Sequence, residues 1–246
     1  MKDKTIELYV GDCLQKLQEI DSQRVDLVLC DPPYGVTSLK WDEVIPLEPL
    51  WRELKRVLKK GGACVFTSTQ PFTTQLISSN KRDFKYTLVW DKGTCGNPFI
   101  AKYQPLRHHE DIVVFSRGGG KTTYNPQGLV ALNSGVRCKR HRPKVLGEIK
   151  EQKEPTYIQK MTNYPTSIIK IKAERKKRGM HPTEKPIELM RHLIKTYSNA
   201  GDTVLDFAMG SGGTGVAAVE LERCFIGIEI DEGWFNIAAQ KIKNSC

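Results

Sequence analysis

Asp31-Pro32-Pro33-Tyr34 follows directly on the apolar run Val25-Asp26-Leu27-Val28-Leu29-Cys30. A β-prone run of this kind reads as a buried strand, and two prolines, which lack N–H groups, cannot carry its hydrogen-bond ladder further. The chain must turn out of the sheet there, presenting a carboxylate, a carbonyl without a strand partner and an aromatic ring together. That trio suits an exocyclic amino group on a flat base: Asp31 and the Pro32 carbonyl accept its two N–H hydrogens, and Tyr34 stacks on the ring. Taken alone, the tetrapeptide reads equally well as a strand closed by a proline turn.

A second signal lies far downstream. Thr203-Val204-Leu205-Asp206-Phe207-Ala208-Met209-Gly210-Ser211-Gly212-Gly213-Thr214-Gly215 is a strand running into a glycine-rich turn, and Val216 to Leu221 continues it as a helix. Such a turn lets a ligand lie against backbone at a helix N-terminus. About twenty residues on, Cys224 to Asp231 supplies a strand that ends in acid, where Glu229 is placed to bind the two hydroxyls of a ribose. The spacing points to a nucleoside-type cofactor, and a nicotinamide oxidoreductase fits it as well as other users of such cofactors do.

Taken together with His181-Pro182-Thr183-Glu184-Lys185-Pro186, Gly11-Asp12-Cys13, Trp90-Asp91-Lys92 and the stretch from Gln104-Pro105-Leu106 to His109-Glu110, these motifs resemble those of the DNA amino-methyltransferases of the beta arrangement. In that family the catalytic motif precedes the cofactor motif, and the resemblance covers nearly the whole chain. It implies an S-adenosyl-L-methionine-dependent enzyme that methylates the exocyclic nitrogen of a base flipped out of double-stranded DNA. It also implies roles: Asp31, Pro32, Pro33 and Tyr34 at the base, Asp12 at the adenine of the cofactor, Lys185 beside its methionine carboxylate and Asp206 at its amino group. Gly210, Ser211 and Gly212 would follow its backbone, with Glu229 and Ile230 at the ribose. The turn departs from the family at Phe207-Ala208, where many relatives have Pro-Phe, so either residue could face the cofactor. Adenine N6 is favoured over cytosine N4, because relatives acting on cytosine more often carry Ser than Asp at the first motif position. A homodimer, a cognate restriction endonuclease and a cytoplasmic setting in a prokaryote or phage-infected host accompany this expectation.

Charge supports a polyanionic partner. Between Arg137 and Arg178 there are 14 Lys or Arg against 4 Glu, while the remainder of the chain carries 24 of each sign, so the whole formal excess of +10 sits in one stretch. Arg137, Lys139, Arg140, Arg142, Lys176 and Lys177 are its candidates for phosphate contact. Lys92, Lys102 and Arg107, in a loop that also carries Asn97, Tyr103 and Gln104, are candidates for a second contact. The seven cysteines form no Cys-x-x-Cys pair, no zinc-ligand spacing is present, and no long apolar span suggests a membrane. The Pro-Cys dipeptide of cytosine-C5 enzymes is absent, and Cys30, on the opposite strand face from Asp31, reads as core. A protein or RNA amide methyltransferase and an inactive DNA-binding protein are further readings; the former typically has Asn where Asp31 stands.

The elements needed to hold these residues follow from periodicity. Strands are expected at Ile6–Val10, 63–68, 84–90 and 111–115 besides those named above, with helices from Cys13 to Ile20, from Pro46 to Lys59 (stopped by Gly61-Gly62), from Pro186 to Ser198 and around Trp234, Ile237, Ala238 and Ile242. Trp234 is expected in the core. The order predicts an α/β Rossmann-like doubly wound sheet, mostly parallel with an antiparallel hairpin and permuted motifs. The whole of 1–246 is read as one methyltransferase domain: a catalytic half 1–117, a basic target-recognition insertion 118–180 and a cofactor-binding half 181–246. If the insertion contacts phosphates, replacing Lys176 and Lys177 with Gln weakens binding to specific and unrelated DNA by similar factors. The same change flattens the slope of log affinity against log salt by about 0.9 per lost contact, as read by filter binding across a salt series.

Overall fold

The computed structural model describes residues 5–36, 42–96, 98–139, 156–173 and 184–245. They form two compact units, Met1–Asn125 with Ser167–Cys246, and Pro126–Thr166.

The first unit is built on an eight-stranded sheet. Its strands are β1 (Ile6–Val10), β2 (Val25–Cys30), β3 (Leu58–Ser68), β4 (Phe84–Asp91), β5 (His109–Ser116), β8 (Ile168–Lys170), β9 (Thr203–Asp206) and β10 (Cys224–Glu229), arranged in the order β1-β10-β9-β2-β3-β5-β4-β8. Among the described residues β5 alone runs against the others, giving the antiparallel pairs β3–β5 and β4–β5. Because strand side chains alternate, a strand buried on both faces must be apolar at every position. β2 shows this directly: Leu27 and Leu29 enter one core, and Val28 and Cys30 the other. Helices α1 (Cys13–Lys16), α2 (Leu47–Val57) and α3 (Phe72–Ser79) cover the second face, and α4 (Ile187–Tyr197), α5 (Gly213–Glu220) and α6 (Glu232–Lys243) the first. In α2 the spacing of Leu50, Trp51, Leu54 and Val57 places all of them in the core, worth about 1.5–3 kcal/mol for each aliphatic chain buried.

Two expectations are corrected. The helix expected to run to Lys59 ends at Val57, because Leu58 already pairs with Val25 of β2; the register then jumps so that Leu27 faces Ala63. Gly61, at φ +80°, lets the extra residues loop out, so the Gly-Gly pair makes a bulge within the strand instead of stopping the helix. Helix α3, unexpected from the sequence, follows β3 and carries Phe72 and Leu76 into the core.

The strand order reverses between β2 and β9. From β2 the chain winds to β3 on one side, and from β9 to β10 on the other, which opens a crevice at their carboxyl ends. Asp26 holds the two strands in place from below, its Oδ2 accepting the Thr203 N–H at 2.9 Å and the Lys59 ammonium at 2.7 Å.

The second unit contains β6 (Val130–Lys139) and β7 (Thr156–Thr162), an antiparallel ribbon. It lies within the stretch expected to be an insertion. Asn163 Nδ2 closes the unit on the Gly128 carbonyl at 2.6 Å. No helix among the described residues is long and apolar enough to cross a membrane.

Gly212 caps α5 at φ +83°, and a methyl group there would stand 2.9 Å from the Cβ of Ala238 and 3.0 Å from its Cα. Gly212→Ala is expected to lower stability by about 2 kcal/mol or more, seen as a fall in the urea midpoint at unchanged slope.

Candidate active site

Asp31 stands one residue past the end of β2, at the reversal. Among the described residues its three polar contacts fall on Oδ1: the Tyr34 hydroxyl and the Thr67 hydroxyl both donate to it, and Lys185 Nζ lies 2.9 Å away. The two hydroxyls are 3.0 Å apart. Thr67 reaches this point because it lies next to the last residue of β3, the strand beside β2, and it is fully buried. Tyr34 is oriented by its backbone as well as its ring. Asp42 accepts the N–H groups of Tyr34, Gly35 and Val36 at 2.7, 2.9 and 3.0 Å, gathering the turn after the prolines around one carboxylate. Phe72 of α3 stacks on one side of the Tyr34 ring, centroids 5.4 Å apart, and Lys185 Nζ sits 5.5 Å from the ring centroid.

Lys185 connects this group to the far side of the sheet. Its ammonium also lies 3.2 Å from Glu110 Oε2 on β5, whose other oxygen is 3.2 Å from Lys92 Nζ just beyond β4. Charges therefore alternate along Asp31, Lys185, Glu110 and Lys92. Burial works against the Lys185 charge, but Asp31 and Glu110 outweigh it, and the pKa of the ammonium is raised. Burial, reinforced by Asp31 and Glu110, likewise raises the pKa of Tyr34 and keeps its hydroxyl protonated as a donor.

The other side of the crevice belongs to β9 and β10. Asp206 ends β9 only 2% exposed; burial pushes its carboxyl up to about 6, against hydrogen bonds from Thr214, Cys30 and the Ala208 N–H. Glu229 ends β10 and ties the glycine turn to it, Oε2 accepting the Gly210 N–H at 2.7 Å and Oε1 the Asp231 N–H at 3.0 Å. Asp12 caps α1 by accepting the Gln15 N–H at 3.1 Å. Glu184, 8% exposed at its side chain, holds Lys241 through Oε1 at 2.7 Å and keeps a buried Oε2 without a hydrogen-bond partner among the described residues.

These groups line one crevice of about 850 Å³. Asp12, Asp31, Pro32, Pro33, Tyr34, Lys92, Arg107, Lys185, Asp206, Phe207, Ala208, Gly210, Ser211, Glu229 and Ile230 all contribute to its wall. Phe207 is 2% exposed and packs on Phe66 at 6.0 Å, so it belongs largely to the core while Ala208 is more open. Gly212 stands apart from the lining, turned toward Ala238, and the exposed Lys102 is also outside it. Arg137 and Lys139 belong to β6 of the second unit, whereas Asn97, Arg140, Arg142, Lys176, Lys177 and His181 lie outside the described residues. Trp234 corrects its expectation: it is half-buried and lines the crevice, because α6 starts immediately beside the end of β10. Thr67, Asp42 and Glu184 carry contacts that sequence reasoning did not assign. Only Thr67 left a signal, as a hydroxyl at the end of an apolar run.

Among the described residues, nine carboxylates face the crevice against three cationic side chains. With the partnerless Glu184 oxygen and the desolvated Asp206, the wall favours a ligand carrying positive charge.

The fold is that of a doubly wound α/β protein, whose ligands bind in the crevice at the reversal of strand order. The chain belongs to the N6_N4_Mtase family, DNA methylase, which it matches over residues 25–240. It is similar to the DNA adenine methyltransferase YhdJ of Escherichia coli (strain K12), with 28% identity over 245 residues covering 94% of this chain and 81% of the relative. Among solved structures, the M1.HpyAVI-SAM complex aligns with TM-score 0.65 at 23% identity, over 96% of this chain and all of the other. The cytosine-N4-specific PvuII DNA methyltransferase aligns with TM-score 0.68 at 16% identity, over 98% of this chain and 92% of the other.

The raised Asp206 pKa makes stability depend on pH. Its folded value of about 6 exceeds the ordinary 3.8, so the protonated form is favoured in the fold. The contribution is present in full below 3.8 and is lost as the pH rises through about 6. Asp206→Asn is expected to remove that dependence and to stabilise the protein at neutral pH by up to about 3 kcal/mol, measured by urea unfolding from pH 4 to 8.

Proposed function

We propose that this DNA methyltransferase transfers a methyl group from S-adenosyl-L-methionine to the N6 amino group of adenine in double-stranded DNA. The observation that carries the reading is Asp31, held through Oδ1 alone by Tyr34, Thr67 and Lys185. Oδ2 is then the acceptor for one amino hydrogen, and the Pro32 carbonyl for the other. Held in this way, the nitrogen lone pair is drawn out of conjugation with the base and becomes nucleophilic. The face of the Tyr34 ring away from Phe72 supports the base outside its stack. Cytosine N4 presents the same amino geometry; the Asp in the first motif position and the adenine-named relative support N6.

The donor's chemistry fits the wall. Its sulfonium supplies a methyl group already activated for direct displacement, and it adds an ammonium to the positive charge that the crevice favours. Asp206 and the partnerless oxygen of Glu184 are assigned to that ammonium, Glu229 and Ile230 to the ribose, Asp12 and Trp234 to the adenine end. Asp31 holds positive charge developing on the amine and is the nearest acceptor for its proton. Lys185 fixes the position of the Asp31 carboxyl, and Glu110 keeps Lys185 in place. Lys92, Lys102, Arg107 and the basic stretch from Arg137 to Arg178 are assigned to DNA. Single-base sequencing of modified DNA from cells expressing the protein tests the assignment: methyl groups on adenine N6 in a fixed context support it, and methyl groups on cytosine N4 replace it.

Asp31→Ala is expected to lower turnover by about 100-fold or more while the dissociation constant for S-adenosylmethionine, read by calorimetry, stays essentially unchanged. Tyr34→Phe removes one donor from Asp31 and is expected to cost about 5- to 10-fold in turnover. Tyr34→Ala loses the stacking face as well and is expected to cost about 10-fold more. Equal losses in the two Tyr34 variants would assign the whole effect to the hydroxyl.

A further inference from the structure

Phe99 and Tyr103 are 89% and 86% exposed, the two highest values among the large apolar side chains described. Both sit at the tip of the loop from β4 to β5. They are presented by the short helical turn Pro98–Ile100, where the Ala101 N–H donates to the Pro98 carbonyl at 3.2 Å and the Tyr103 and Gln104 N–H groups donate to the Ile100 carbonyl at 2.9 and 3.1 Å. The tip is thus bonded into one shape, and its rings are left in water, where they forfeit the stabilisation that burial gives.

The loop is also charged for one kind of partner. From Lys92 to His109 the sequence has Lys92, Lys102 and Arg107 and neither Asp nor Glu. Its stem belongs to the crevice: Thr94, Cys95 and Gly96 line the wall on the way out and Arg107 on the way back, where its guanidinium donates to Thr69. Phe99 follows Gly96 by three residues, a reach of at most about 11 Å. That is about three base steps along one DNA strand. A polyanion drawn to the acid-free loop therefore meets the two rings within a few base pairs of the crevice mouth.

We propose that Phe99 and Tyr103 form a wedge that enters the base stack as the target base leaves it. This rests on the reading of the protein as a methyltransferase of duplex DNA. Extruding a base breaks its pair and two stacking contacts, and an aromatic ring placed in the gap restores stacking irrespective of sequence. Cations alone would suffice for a phosphate clamp and would leave the exposure of two rings without use.

The test uses the full chain and a duplex bearing the methylated context read from modified DNA. Rates are compared for the paired duplex and for one with an abasic position opposite the target, and extrusion is followed with a fluorescent analogue at the target: 2-aminopurine for adenine, pyrrolo-cytosine for cytosine. Phe99→Ala with Tyr103→Ala is expected to slow methylation of the paired duplex by about ten-fold or more and to abolish the fluorescence rise. The abasic duplex, which has no pair to break, should restore most of the lost rate. Phe99→Trp with Tyr103→Trp should keep both signals, and S-adenosylmethionine binding should match wild type in every variant. Equal losses on the two duplexes would overturn the wedge, because the rings would then add only affinity. An unchanged rate, or a DNA-free change in sedimentation that assigns the rings to a second copy of the chain, would overturn it too. A wedge failure leaves methylation at the mapped context intact, whereas absence of any methylation removes the reading beneath it.

Discussion

The contact between Asp31 and Lys185, 2.9 Å apart at the reversal of the sheet, is the one on which the rest of the crevice depends. Lys185 keeps only 9% of its side chain exposed, and a buried ammonium is tolerated only when carboxylates sit against it. Asp31 and Glu110 meet that requirement, and Lys92 in turn balances Glu110. The four groups come from the end of β2, the region before α4, the start of β5 and the position after β4. An antiparallel β5 is what makes this work: its N-terminal end lies with the carboxyl ends of its neighbours, so Glu110 is delivered to the same edge of the sheet as Asp31.

That arrangement reconciles two opposite electrostatic needs. The protein carries a formal +10, which draws phosphate, yet among the described residues its crevice is lined by nine carboxylates and three cations, which repels it. On the proposed reading, the acid-free loop suits phosphate, while the space between β2 and β9 suits a neutral base and a cationic donor. A single positive field over the whole surface would attract DNA as well but would place the backbone where the base must go.

Much of this was legible because it rests on local rules. Val25 to Cys30 could be only a doubly buried strand, the prolines could only end it, and the glycine turn with Glu229 at its spacing could only sit at neighbouring strand ends. Contacts made across the sheet left no such trace. Thr67 reaches Asp31 because β3 happens to lie beside β2, and Asp42 caps the Tyr34 turn from beyond a connecting segment. The end of α2 was missed for a related reason: helical periodicity continues through Leu58, but pairing with Val25 claims that residue for the sheet. Trp234 looked like core because its helix is amphipathic, and its exposure comes from where α6 begins, a property of the tertiary fold alone.

The crevice also shows where stability has been given up. Asp206 is almost wholly desolvated with its carboxyl pushed up to about 6, and Glu184 keeps a buried oxygen without a donor. Each would be better satisfied as an amide or an apolar group if the fold were the only concern. Both line the crevice, Glu184 just before Lys185 and Asp206 at the end of β9. On the proposed reading, the desolvated Asp206 and the buried Glu184 suit the cationic donor, and Asp31, set against the Lys185 ammonium, suits the uncharged base. On that reading the division follows the reversal of strand order, so the topology that opens the crevice also separates its two reactants.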